Sequence, residues 1–295
     1  MDQTTPVLTQ YSGVCNARRK RSGKIKIGVH SKSNSAVKIL ITVLLGLTVY
    51  AFISFDYKEI VLGEAIAATL RNVKTVFLEP KLSTDTFKNV MYQLFLTFCL
   101  GTLSTIFGAI AAFFCSLLCA KNTAPSGVAN AVKCVIALIR AVPTVLWVLI
   151  FAVSAGLGSV AAVIGLTFHS FAYLTKVYAE SIEEIDDGTI EALRASGAGF
   201  WQIVFQAIVP ASLSRMVAWT FMRFEINFTN AIAVGAAAGA GGIGFNLYMA
   251  GSFYFNLHEM GILTYIVVIA VVMLEMFSTK IKERVKSVSY THLRA

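Results

Sequence analysis

Long apolar runs separated by short polar ones dominate the chain. Six of them are long enough for a hydrocarbon core of ~30 Å, which takes about 20 helical residues. They lie at Ala36 to Phe55, Val90 to Cys119, Gly127 to Ala155, Ser159 to Tyr178, Leu213 to Gly235 and Gly261 to Thr279. The fourth carries His169 and Lys176 and is the weakest of the set. This pattern predicts an all-α membrane protein of about six transmembrane helices. It divides the chain into a basic tail (1–35), a first membrane anchor (36–55), an extracytoplasmic segment (56–86), a membrane core (87–279) and a second tail (280–295).

Two connecting segments stand out. The first, Glu180 to Arg215, falls between the fourth and fifth runs. Within it Ile190 to Ser196 reads as a short helix and Gly197-Ala198-Gly199 as a break. Phe200 to Val209 reads as a second, amphipathic helix stopped by Pro210. The second segment, Gly235 to Gly251, is too rich in glycine for a plain span and reads as non-helical backbone sheltered by protein or facing water. The stretch from Ser287 to Ala295 fits no pattern.

Charge placement orients the spans. Arg18, Arg19, Lys20, Arg21, Lys24, Lys26, Lys32 and Lys38 precede the first run with no acid among them, and Lys280, Lys282, Arg284 and Lys286 follow the last. Basic flanks mark the cytoplasmic side, so both termini are expected there, beside anionic lipid. The first run exceeds the apolar core of a cleaved signal peptide and reads as an uncleaved span. The net charge of +9 is explained by these anchors, and no nucleic-acid partner is expected.

Composition agrees: 56% of residues are hydrophobic and only 14% charged, which excludes a soluble domain and a disordered chain. Cys99, Cys115, Cys119 and Cys134 sit in apolar runs as small hydrophobes and Cys15 in the basic tail, so neither a metal site nor an obligatory disulfide is expected. No Gly-x-x-x-x-Gly-Lys-Ser/Thr loop is present, so any ATP used must be hydrolysed by another subunit. Gly239-Ala-Gly241-Gly242-Ile-Gly244 has the dinucleotide spacing but follows an apolar span rather than a strand, and is read as a decoy. His258-Glu259 lacks the second histidine of a zinc protease. No catalytic residue and no cofactor is expected.

Polar groups inside apolar runs are costly and therefore informative. Thr220, Arg223, Asn227 and Asn230 are spaced by three, four and three, which places them on one helix stripe rich in donors for an anion. Glu225 is about 200° around the helix from Arg223 and needs a partner on another helix. Arg223 is read either as an anion contact or as half of a structural ion pair with Glu225 of a second copy or with Glu275. Arg140 stands three residues before Pro143, where a kink frees the carbonyl of Ile139 beside the charge. Lys133 shares the Arg140 face and reads as a snorkelling cation. His169, Tyr173 and Lys176 share a face of the fourth run, for a path or for interhelical hydrogen bonds. Arg140, Arg223, Asn227 and Asn230 form the candidate substrate path. Pro143, Glu225, Gly241 and Gly242 are read as hinge or structural-charge positions.

Glu191-Ala192-Leu193, then Gly197 and Pro210, resembles the Glu-Ala-Ala motif of bacterial ABC importer permeases in spacing. Leu193 stands for the second Ala, and Ala207 and Val209 for the family's Ile and Leu. Five further segments resemble, in order, the phosphonate-importer permease subfamily. They are Arg140-Ala-Val-Pro143-Thr144, His169-Ser170, Ala179 to Asp186, Arg223-Phe-Glu225-Ile-Asn227 and Gly239 to Gly244. The resemblance covers roughly Phe87 to Thr279. It implies a type I importer permease fold in a bacterial inner membrane, working as a homodimer with two cytoplasmic ATPase subunits and an extracytoplasmic phosphonate-binding protein. Glu191, Ala192, Gly197 and Pro210 would couple to the ATPase. Gly197 supplies the turn of the lever because it takes positive φ without strain. Phe200, Trp201, Val204 and Phe205 form an apolar face for the bilayer or the partner. Three alternatives remain: an ion-driven transporter with Glu225, His169 and Lys176 as a proton relay, a scaffold protein whose loop docks a partner, and an ABC permease for phosphate, phosphite or another small anion.

Overall fold

A computed structural model describes residues 15–19, 25–29, 32–54 and 61–292. The chain separates into two units, Met1–Ile66 and Ala67–Ala295. In the first, strands β1 (Cys15–Arg19) and β2 (Ile25–Val29) form an antiparallel hairpin with Ala17 opposite Ile27, a local departure from an all-helical chain. Helix α1 (Lys32–Ser54) follows, and its residues 35–54 are exposed all round, as suits a helix in lipid. Thr42 and Thr48 donate to the carbonyls four residues back, which hides their hydroxyls from an apolar surround.

Helix α2 (Leu62–Leu78) begins at the boundary and lies in the segment read from sequence as featureless. Its 17 residues include Glu64, Arg71 and Lys74, so it forms no apolar run of spanning length. Within the second unit its end is held by the Tyr265 hydroxyl, which donates to the carbonyl of Phe77 at 2.7 Å.

The remaining helices are α3 (Phe87–Cys119), α4 (Ser126–Ala141), α5 (Thr144–Ala155), α6 (Ser159–Glu183), α7 (Asp187–Ala195), α8 (Phe200–Ile203), α9 (Val209–Ala238), α10 (Gly242–Tyr248) and α11 (Leu257–His292). Among the described residues five helices are long and apolar enough to cross a membrane, or six if α4 and α5 are one bent span. Helices α3, α6 and α9 pack together at the centre. Small residues on one face of α3 allow this: a methyl at Gly101 would sit 3.1 Å from the Phe228 backbone, and one at Gly108 only 2.8 Å from Ser170 Cβ. Close backbone approach at these points adds to the packing of large side chains such as Leu117, Leu174 and Met216.

Four expectations are corrected. The third span does not merely kink: α4 and α5 diverge by 88° at Val142-Pro143, because proline at the start of α5 can begin a helix but not continue one. Pro210 does not stop the second loop helix. A π-turn at Val204–Ile208 joins α8 to α9, and the Val209 N–H reaches back to the Val204 carbonyl, so the wider turn accommodates the missing proline donor. The Gly235 to Gly251 segment is mostly helical; the break is confined to Gly239, Ala240 and Gly241, with φ of +60° and +77° at the two glycines. Helix α11 continues through 287–292, where no pattern was seen.

Candidate functional site

A buried polar cluster lies where α3, α6 and α9 meet. Arg223 is 2% exposed and Asn227 fully buried, one turn apart on α9. Ser170 on α6 is the hub. Its Oγ receives a hydrogen bond from Arg223 Nε at 3.0 Å and one from Asn227 Nδ2 at 2.7 Å. Asn227 Nδ2 also lies 2.9 Å from Thr105 Oγ1 on α3. Because α3 approaches so closely at Gly101 and Gly108, the hydroxyl of Thr105 between them can reach across.

The Arg223 guanidinium donates from Nη2 to His169 Nδ1 at 2.8 Å. Arginine has no acceptor, so Nδ1 accepts and the imidazole N–H is on Nε2. The guanidinium carbon also stands 5.2 Å from the centre of the Tyr173 ring, and Arg140 of α4 stands 5.9 Å from the same ring. Two cations thus approach one aromatic ring, each attracted to it by a cation–π interaction while the like charges repel each other. Among the described residues no carboxylate pairs with Arg223 or Arg140. Of the five donors an arginine carries, the hydrogen bonds to Ser170 and His169 occupy two.

The expected stripe is only partly assembled. Thr220 points to Tyr178, with the two hydroxyls 2.5 Å apart. Asn230 does not join the cluster; it lines a cavity between α9 and α11 with Glu225 and Glu275. Glu225 finds its partner on another helix as required: Lys282 of α11, 3.1 Å from both carboxylate oxygens. Lys282 is therefore an ion-pair partner as well as part of a basic flank. Lys133 does not simply snorkel, since its ammonium lies 2.7 Å from Glu183. Lys176 pairs with Glu180 at 3.4 Å. The proposed proton relay is dispersed, with Glu225, His169 and Lys176 each engaged by a different partner.

The carbonyl of Ile139, freed by Pro143, is taken up by the Trp147 indole N–H at 3.0 Å, which fixes α5 against the end of α4. Gly241 and Gly242 have φ of +77° and +75°. The N–H of Gly242 donates to Gln93 Oε1 at 3.0 Å and that of Ile243 to Thr97 Oγ1 at 2.9 Å, so side chains of α3 satisfy the exposed start of α10. The Glu259 carboxylate accepts from the N–H groups of Thr84 and Asp85 and from Asn256, a structural cap. Thr105, Trp147 and Gln93 went unnoticed in the sequence, and Ser170 was marked only by the family resemblance of His169-Ser170, with no role assigned. Serines and threonines in spans ordinarily bond their own helix, so nothing in spacing marks those that also bridge helices.

The loop after α7 closes as a Schellman turn. Gly197, with φ of +84°, donates to the Arg194 carbonyl and Ala198 to that of Leu193, both at 3.0 Å. Glu191, Ala192 and Pro210 are exposed. Glu191 lines a cavity of about 420 Å³ with Lys121, Asn122, Glu183, Asp187 and Arg194. Phe200, Trp201 and Phe205 are exposed, but Val204 is buried, so the expected four-residue apolar face is narrower. Arg215 pairs with Glu184 and also donates to the Ser181 carbonyl, joining the start of α9 to the end of α6.

Residues 112–283 match the model of the binding-protein-dependent transport system inner membrane component family. The chain is 36% identical over 152 residues to the phosphate-import permease protein PhnE of Mycolicibacterium smegmatis, covering 51% of this chain and 28% of that one. It is 29% identical over 185 residues to the phosphite transport system permease protein PtxC of Stutzerimonas stutzeri, covering 62% and 65%. The chain thus spans less than two thirds of the length of either relative. Among solved structures it resembles a chain of the inward-facing MetNI methionine ABC transporter, with a TM-score of 0.61 and 24% identity over 69% of this chain and 99% of that one. A bacterial alginate ABC transporter gives a TM-score of 0.59 at 14% identity, over 85% and 98%. At these identities the likeness is one of fold.

Proposed function

The chain belongs to the family of binding-protein-dependent transport-system inner-membrane components, and on that premise we propose that it is the membrane subunit of an ATP-driven importer of phosphonate or a related small phosphorus oxyanion. The observation that carries the substrate class is Arg223: a buried guanidinium held by neutral groups, with no carboxylate paired to it among the described residues. An oxyanion supplies the missing negative charge and accepts from the planar donor fork in a way that a lysine cannot reproduce. The similarity to permeases named for phosphate and phosphite import supports the same class.

Two copies of the chain enclose the path, two cytoplasmic ATPase subunits drive it, and an extracytoplasmic binding protein delivers the anion. Both termini lie on the cytoplasmic side. Arg223, Asn227 and Arg140 meet the anion; Asn230, which lines the cavity beside α11, lies off that path. Glu191, Ala192, Gly197 and Pro210 belong to the loop that receives the ATPase stroke. When the ATPase closes on ATP, α7 moves with it and the unbroken helix from Phe200 to Ala238 carries that motion to Arg223, which lies on the same helix. Pro143, Gly241 and Gly242 are the hinges, where helices already end.

The test is uptake of methylphosphonate into vesicles holding the chain, its ATPase and its binding protein, supplied with ATP and no ion gradient. Uptake that follows ATP supports this reading. Uptake that requires a proton or sodium gradient, or no phosphorus-oxyanion uptake at all, contradicts it.

A further inference from the structure

A second charged site begins where the buried cluster ends. Between α4 and α6 lies a cavity of about 220 Å³ lined by Lys133, Arg140, Lys176, Glu180 and Glu183. That volume falls below the ~300–1,000 Å³ of pockets for drug-sized molecules and suits a small ion. Arg140 links the two sites, since its guanidinium and that of Arg223 both stand against the Tyr173 ring. At its other end the cavity meets the loop of α7: Glu183 also lines the 420 Å³ cavity that contains Glu191 and Arg194. Glu183 accepts from the Lys121 N–H at 2.9 Å as well, so it is anchored to the loop between α3 and α4.

The charges in this cavity are graded. Arg140 has no carboxylate partner among the described residues. Lys176 and Lys133, further along, are already paired with Glu180 and Glu183. An anion passing from Arg223 would next meet one uncompensated cation and then two whose charge is largely spent on carboxylates. Coulomb attraction therefore falls along the cavity. Passage needs this fall, since binding that admits an ion must also be weak enough to release it.

We propose that this cavity is the release site for the transported oxyanion on the α7 side, and that Glu180 and Glu183 hold its affinity low enough for discharge. The inference rests on the reading of the chain as an oxyanion transporter and adds the residues that set release. It makes both glutamates specificity-determining: they weaken retention of tetrahedral oxyanions rather than contact them.

The experiment uses the assembled transporter in vesicles, with ATP-driven methylphosphonate uptake measured while inorganic phosphate or methylphosphonate is raised on the α7 side. Glu183→Gln keeps the oxygen that accepts from Lys121 and Lys133 but removes the charge, and Glu180→Gln does the same beside Lys176. Each is expected to lower the concentration that half-inhibits uptake about tenfold and to slow turnover. Lys176→Gln should raise that concentration, and the double change Lys176→Gln with Glu180→Gln should return it toward the original value. A purely structural pair behaves otherwise: Lys176→Gln and Glu180→Gln would shift inhibition in the same direction, or leave it unchanged while reducing the amount of folded protein. Either result overturns the release site. Absence of ATP-driven uptake in the unaltered transporter would instead overturn the proposed function, so the two failures are distinguishable.

Discussion

Two of the three charges on helix α9, Arg223 and Glu225, lie two residues apart in its apolar middle, and the fold treats them in opposite ways. Glu225 faces α11 and is neutralised by Lys282, with about a quarter or less of each side chain exposed. Arg223, two residues away and on the other side of the helix, is more deeply buried yet among the described residues is met by Ser170, His169 and the ring of Tyr173, none of them a carboxylate. Burying an ion is expensive, and a partner of opposite sign on a neighbouring helix is the ordinary compensation. The Glu225 side follows that rule and needs nothing further. The Arg223 side satisfies hydrogen-bonding geometry but leaves charge uncompensated among the described residues, and under the proposed function that difference separates a charge serving the fold from one serving a ligand.

The widest separation between the two sides should come from removing each charge. Arg223→Ala is expected to reduce ATP-driven uptake by about a hundredfold or more while the protein still inserts, and Arg223→Lys to retain a slow fraction because the planar fork is lost but the charge kept. Glu225→Gln or Lys282→Gln should instead lower stability by on the order of 1–3 kcal/mol, between the values of exposed and buried pairs, and the double neutral variant should recover part of it. Thermal unfolding in detergent measures this.

Smaller effects sharpen the contrast. Ser170→Ala leaves Arg223 Nε and Asn227 Nδ2 without their shared acceptor, a cost of about 1–3 kcal/mol, with slower uptake than in Glu225→Gln. In the α7 loop, Glu191→Arg or Gly197→Pro should leave insertion intact but lower both co-purification with the ATPase and substrate-stimulated ATP hydrolysis. Normal stimulated hydrolysis in both would remove the coupling assignment. Reductant should change least of all: Cys99, Cys115, Cys119 and Cys134 are free thiols, and uptake should be unaffected.

The apolar runs made most spans legible, since twenty apolar residues in a row have few alternatives to crossing a membrane. Breaks were harder. Pro143 announced a kink, but neither its 88° size nor the Trp147 indole that takes up the Ile139 carbonyl follows from the proline rule. Pro210 read as a stop because the rule assumes an α-helix; the π-turn just before it was invisible. The glycines from 235 to 251 read as non-helical, yet Gly235 and Gly244 serve close helix packing, and only Gly239, Gly241 and Gly242 take positive φ. In the site, helical spacing placed Arg223 and Asn227 together and set Glu225 apart. It could not find Ser170 or Thr105, whose role comes from which helices touch, nor foresee that Asn230 would face α11.

The central claim is that Arg223 carries a charge reserved for the transported anion. Its most direct measurement is ATP-driven methylphosphonate uptake by Arg223→Ala alone and combined with Glu225→Gln or with Glu275→Gln. Neither combination should restore uptake, because no carboxylate depends on Arg223. Recovery in either double variant would show that the guanidinium balanced a carboxylate, and would contradict its place in the substrate path.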